Sequence, residues 1–188
     1  MSVVLLTGSP SSPSRSAAVL FLIEDYLRRQ GIATIRYGVN DFAPEALLLG
    51  QFDSTSVKQF QRDVAEADGL VVATPVYKAS FSGVLKTMLD LLPQEALQNK
   101  VVLPIASAGS IAHLLVLDYA LKPVLSAMKA QEIIAGVFVQ DKQVEYRDAD
   151  ARFDEGLRER LEAAAAQFTQ AIHCRLLIKH IELPEYVI

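Results

Sequence analysis

The sequence predicts an α/β protein: one doubly wound domain with a mostly parallel sheet covered by helices on both faces. Three observations predict it. Short runs of branched apolar residues alternate with longer stretches of helical periodicity. No repeat, linker or low-complexity tract divides the 188 residues, and that length supports one substantial core. Five apolar runs separated by helical ones call for right-handed crossovers, which fill both faces of a sheet.

The elements follow in order. Residues 3–7 read as a compact buried strand. Residues 16–30 carry Ala17, Leu20, Phe21, Ile23 and Leu27 at helical spacing, and Gly31 ends that helix. A second strand is predicted over 32–37, then a turn at Phe42-Ala43-Pro44 beside a short helix. Residues 54–66 are helical through Val57, Phe60 and Val64. Asp68-Gly69 breaks the chain before a third strand at 70–73. A helix over 82–92 closes at Pro93, and a fourth strand covers 101–106. An apolar helix is predicted over 111–128 and a fifth strand over 132–139. Residues 140–152 are polar and read as a surface excursion. A terminal helix over 154–173 precedes an extended tail with a short β run at 176–178. The class is a flavodoxin-like three-layer sandwich with a five-stranded parallel sheet. Residues 1–175 form the domain and 176–188 the C-terminal tail.

Composition narrows the functions. The chain is 51% hydrophobic with a formal net charge of -4, so neither disorder nor a basic nucleic-acid footprint fits. One cysteine, Cys174, excludes a disulfide framework and a cysteine zinc site. No His or cationic cluster is arranged in sequence to activate it, which favours a packed side chain over a nucleophile. The first residues lack the basic start and cleavage site of a signal peptide, and no apolar run is long enough for a bilayer. The expectation is a cytoplasmic protein without membrane attachment.

In this class ligands sit beyond the carboxyl ends of the strands. Three predicted loops end there. The first, residues 7–16, joins a buried strand to a helix and contains five serines, among them Ser9, Ser14 and Ser16, with Arg15 adding a cation. Free backbone N–H groups at a helix start favour an anion, and a phosphate monoester suits this chemistry. A Ser/Pro turn with an N-cap serine is the plainer alternative. The loop has neither the Gly-Lys-Ser/Thr ending of a nucleotide P-loop nor the spaced glycines of a dinucleotide fingerprint. The second loop, residues 74–83, has Pro75 as a rigid turn. Tyr77 and Phe81 stand where a planar ligand could lie, or else complete the core or an interface. Gly83 permits close approach. The third, Ser107-Ala108-Gly109-Ser110, keeps space open beside the fourth strand, with backbone amides for the edge of a ring. His113 and Asp118 read as structural or solvent-facing. No paired carboxylates, nucleophile–base set or metal-ligand set is present, so no catalytic side chain and no metal is assigned. A cofactor doing the chemistry, positioned by the protein, fits this inventory.

At these motifs the sequence resembles the NADPH-dependent FMN reductases of bacterial sulfonate utilisation, within the flavodoxin-like flavin reductase superfamily. The likeness runs from Leu6 to about Phe138. It is densest at residues 67–78, at Ala112-His113-Leu114-Leu115 and at residues 118–125. The resemblance implies that Ser9, Ser14, Arg15 and Ser16 grip the FMN phosphate. It implies that Pro75, Val76, Tyr77 and Lys78 border the ring or ribityl chain, and that Ser107, Ala108, Gly109 and Ser110 approach the pyrimidine side. NADPH would pass hydride to a reversibly bound FMN. The reduced flavin would leave for a transient partner, an FMNH2-dependent alkanesulfonate monooxygenase. Tyr119 would mark a π-helical insertion at the interface of a homo-oligomer, dimer or tetramer, with a role in assembly or gating. Two positions depart from the pattern: Ser11 stands where relatives often have arginine, and Ala108 where they often have glycine. A quinone or azo-compound reductase with tightly bound FMN, or a one-electron carrier, would use the same fold and loop.

Overall fold

The computed structural model describes residues 1–147 and 150–179. Its strands and helices run β1 (Ser2–Thr7), α1 (Arg15–Arg29), β2 (Ala33–Tyr37), α2 (Pro44–Leu48), α3 (Thr55–Glu66), β3 (Gly69–Tyr77), β4 (Ser80–Phe81), α4 (Gly83–Asp90), β5 (Val101–Ala108), α5 (Lys122–Ala127), β6 (Glu132–Ile133), β7 (Val137–Gln140), β8 (Val144–Arg147), β9 (Asp150–Phe153) and α6 (Glu155–Lys179). The main sheet has the order β2-β1-β3-β5-β6, all parallel. β7 continues the β6 edge and the short β4 folds back on β3. The three-layer class predicted from the sequence is the class observed.

Central strands have apolar side chains on both faces because both faces are covered. One face packs Val19, Ile23 and Leu27 of α1 with Leu157, Leu161 and Phe168 of α6. The other packs Val57, Phe60 and Val64 of α3 with Leu85 and Met88 of α4 and Leu125 of α5. Chain order reverses between β1 and β3, so their carboxyl ends flank a crevice, as open α/β sheets generally provide.

Several predicted boundaries are corrected. The third strand runs through Pro75 to Tyr77. The Ala73 carbonyl accepts from Gly8 N–H, so the same parity turns Pro75 toward an edge that β1 has already left. Its missing N–H therefore costs no ladder bond. The turn comes later, at Lys78 and Ala79, both at positive φ, as two-residue hairpin loops require. The fifth strand is split into β6 and β7. The Val102 carbonyl accepts from Ile134 N–H, so Pro104, of the same parity, faces this edge with no donor to offer. Gly136 crosses the gap at φ 88°, where a Cβ would lie 2.6 Å from the Pro104 oxygen.

The predicted continuous helix over 111–128 is three pieces: a 3₁₀ turn at Ile111–His113, a π-helix at Leu117–Leu121 and α5. Lys122 N–H donates to Leu117 O, five residues back, which accommodates one extra residue in the turn. The polar stretch after residue 140 is no mere excursion. It forms the β8–β9 hairpin and buries Val144 against the α1 side. The β run expected at 176–178 is absent, because α6 continues to Lys179. Residues 180–188 of the expected tail lie outside the described residues. Cys174, expected to be packed, is exposed on α6.

Candidate functional site

The loop from β1 to α1 is built around one glycine and one cap. At Gly8 a Cβ would lie 2.7 Å from Leu85 Cβ and 3.0 Å from Ser82 Oγ, so only glycine lets β1 enter its loop this close to α4. Ser82 Oγ in turn donates to the Gly8 carbonyl and accepts from Leu85 N–H at 3.1 Å. Ser14 caps α1, with extended backbone and its Oγ accepting from Ala17 N–H at 3.4 Å. That cap leaves the first N–H groups of α1 without intrahelical acceptors, at the positive end of the helix dipole.

A cavity of about 420 Å³ opens at this helix start. It gathers four loops at the carboxyl ends of the strands. Ser9, Ser14, Arg15 and Ser16 come from the first loop. Pro75, Val76 and Tyr77 come from the end of β3, and Ser107, Ala108 and Gly109 from the end of β5. Ten of the twelve predicted binding residues thus meet in one place, although they lie up to a hundred positions apart in the chain. Ser16 and Ser107 hydroxyls share a hydrogen bond at 3.1 Å, tying the first loop to the third. Gly109 leaves the rim open: a Cβ there would find only Asp141 Oδ2, at 3.8 Å.

The other two sit beside the cavity. Lys78 occupies the exposed hairpin tip, outside the lining, and Ser110 caps the following 3₁₀ turn by accepting from Ala112 N–H at 3.2 Å. Phe81, an alternative platform for a planar ligand, packs against the core, whereas Tyr77 is half-exposed at the cavity.

Asp141 and Tyr146 also line the cavity, and sequence reasoning missed both. They lie in the polar stretch that carried no periodic signal. Arg15 draws them in. Its Nε donates to the carbonyls of Asp141 at 3.2 Å and Val144 at 3.4 Å, and Nη1 lies 3.7 Å from Asp141 Oδ2. Arg15 therefore clamps the far wall as well as charging the helix start. Burial raises the Tyr146 pKa, against smaller lowering contributions from Arg15 and the Ser14 backbone N–H. The phenol stays neutral and reaches the cap residue of α1.

Tyr119 lies in the π-helix, 79% exposed. Ile111, Leu114 and Leu115 are exposed beside it in sequence. Asp118 pairs with Lys122 at the surface, in keeping with a solvent-facing acid. Among the described residues no His/Cys/Asp/Glu group is arranged to hold a metal, and no helix is long and apolar enough to cross a membrane.

Known proteins resemble this chain. Residues 1–145 match the family model described as NADPH-dependent FMN reductase. The chain is 51% identical to an FMN reductase (NADPH) of Escherichia coli, over 93% of this chain and 92% of the relative. It is 52% identical to an FMN reductase (NADPH) of Pseudomonas putida, over 92% of this chain and 88% of the relative. Among solved structures, an NADH:FMN oxidoreductase in its apo form superposes with a TM-score of 0.81 at 37% identity, over 90% of this chain and 89% of that one.

Proposed function

The chain belongs to the NADPH-dependent FMN reductase family, and from that premise we propose that it moves hydride from NADPH to FMN held in the four-loop cavity. The observation that carries this reading is the convergence of a capped helix start, hydroxyls and an arginine with an aromatic side chain in one cavity.

The donor set fits the flavin. A phosphate monoester needs donors, and the first turn of α1 offers free N–H groups. Ser14 Oγ accepts from Ala17 but retains its O–H for an anion. Arg15 adds charge, partly offset by Asp141. The cavity volume falls in the range of about 300–1,000 Å³ usual for small-molecule sites, and the open rim at Gly109 admits a ring edge. When bound, FMN supplies the hydride-accepting ring. The chain's own residues anchor the phosphate end, hold Pro75 to Tyr77 against one side of the ring, and align the donor nucleotide. No side chain is assigned proton transfer.

Two finer readings belong to the same proposal. The flavin binds reversibly and, once reduced, serves a separate FMNH2-dependent alkanesulfonate monooxygenase. The likeness of residues 67–78 and 118–125 to sulfonate-utilisation reductases supports this. The chain self-associates through the segment around Tyr119, supported by four large apolar side chains left in water there.

The test is to purify the protein, measure its bound flavin, and follow NADPH oxidation while FMN is varied without a quinone. Saturable dependence on added FMN is expected. A yellow protein that needs a quinone or azo dye for turnover would replace this reading with the tight-FMN reductase. No turnover with FMN or FAD would end it.

A further inference from the structure

We infer that a second cleft, between the β1–α1 loop and the end of β2, receives the adenosine 2′-phosphate of NADPH, with Arg36 as the residue that selects NADPH over NADH. The inference rests on the NADPH-dependent reading above and adds where the discriminating phosphate binds. NADPH differs from NADH only by that phosphate, so preference for it needs a cation beyond the one serving the flavin. Arg15 is committed to the flavin cavity and to Asp141 and Val144.

The second cleft has a volume of about 340 Å³. Ser9 and Ser11 line both cavities, so the first loop is a common wall and one extended dinucleotide can reach across it. Arg36 is built into the cleft rather than waving over it. Its Nε is 3.2 Å from Glu24 Oε2, and its guanidinium lies 4.6 Å from the centroid of the Phe21 ring. Glu24 is itself buried and held by Arg28 at 2.9 Å and by the Thr34 hydroxyl at 3.0 Å. These contacts fix Arg36 from behind. Its two terminal nitrogens have no partner among the described residues, and the side chain is 47% exposed. An anchored planar fork with free Nη groups matches a phosphate bidentately.

The charges agree. Two arginines meet one carboxylate at Glu24, leaving one positive charge in excess. Ser11, Ser12 and Asn40 add neutral hydrogen-bonding groups around it. Asp41 is the acid of the cleft. Its Oδ2 already accepts from Gly38 N–H at 2.7 Å, which suits it to ribose or adenine donors and not to the phosphate.

The experiment compares NADPH and NADH as donors at saturating FMN in the natural protein, in Arg36→Met and in Arg36→Lys. A parallel calorimetric titration uses 2′,5′-ADP and 5′-AMP. Loss of a charge-assisted fork should raise KM for NADPH roughly 10- to 100-fold. KM for NADH and kcat should stay within about 2-fold. Arg36→Lys should fall between, since lysine keeps charge without the fork. Binding of 2′,5′-ADP should weaken in parallel while 5′-AMP is unaffected. An equal loss with both nucleotides, or an unchanged NADPH-to-NADH ratio, overturns the assignment. If Arg36→Met does not fold, Phe21→Leu removes the half-exposed platform instead, and a lower NADPH-to-NADH ratio is again required. Absence of FMN-dependent NADPH oxidation in the natural protein would instead defeat the reductase reading. The 2′,5′-ADP titration would still report on Arg36.

Discussion

The first loop and the connection after β5 leave the same end of the sheet, yet they turn their chemistry in opposite directions. The first loop buries Ser9, Ser14 and Ser16 and ties itself to the end of β5 through Ser107 and to the segment after β7 through Asp141 and Tyr146. Its polarity faces a cavity. The later connection winds through a 3₁₀ turn and a π-helix and leaves Ile111, Leu115 and Tyr119 in solvent. Its apolar surface faces outward. Polar groups turned inward with incomplete partners mark a ligand site, because burial of such groups costs free energy unless something bonds them. Apolar groups turned outward underlie the proposed assembly surface.

The contrast can be broken in four ways, taken from the largest effect down. Gly8→Val should be the most damaging. Its first carbon alone would stand 2.7 Å from Leu85 Cβ, and overpacking of this kind costs about 1–3 kcal/mol. Urea denaturation and FMN titration should both register the loss. A variant as stable and as tight as the natural protein would refute the proposed close approach.

Arg15→Ala comes next. It removes charge from the helix start and unclamps the wall at Asp141 and Val144, so FMN dissociation should rise about 10-fold. Quenching of flavin fluorescence measures it directly. An unchanged constant would mean that the α1 N–H groups carry the phosphate alone.

Tyr119→Ala tests the outward-facing region. Exposed as it is in one chain, its truncation should move monomer stability by no more than about 0.5 kcal/mol, while weakening self-association in sedimentation velocity. Unaltered sedimentation would remove the assembly role.

The smallest effect is expected at Tyr146. Its pKa is raised chiefly by burial, so folding favours the neutral phenol. The associated stability is complete below the unfolded tyrosine value of about 10 and is lost as pH rises through the folded value. Tyr146→Phe should leave FMN affinity within about 3-fold near neutrality and flatten the alkaline loss of stability. A steeper alkaline loss in the variant would contradict this.

How much was legible depends on whether a residue's role was local. Ser14 could be read as a cap because its partner, Ala17, is three residues away. The proposed phosphate site in the first loop needed only a strand, a serine-rich turn and a helix start. Asp141 and Tyr146 carried no such signal. They joined the candidate site only when Arg15, more than a hundred positions earlier, bonded across to the carbonyls of Asp141 and Val144. Arg36 was equally silent, one charge at the end of a half-exposed strand, until the helix turned Phe21 and Glu24 beneath it.

By itself the sequence determined the alternation of strands and helices, the mostly parallel sheet and the hydroxyl-bearing loop between the first strand and the first helix. These follow from periodicity, turn residues and caps, all of which act within a few residues. Only the tertiary structure decided where β3 ends, why the last strand breaks opposite Pro104, and how the apolar stretch after Ser110 divides into three kinds of helix. It also decided that two clefts share the first loop as a wall. The reason is physical: ladder partners and clamping contacts are set by neighbours in space, and no local period encodes them.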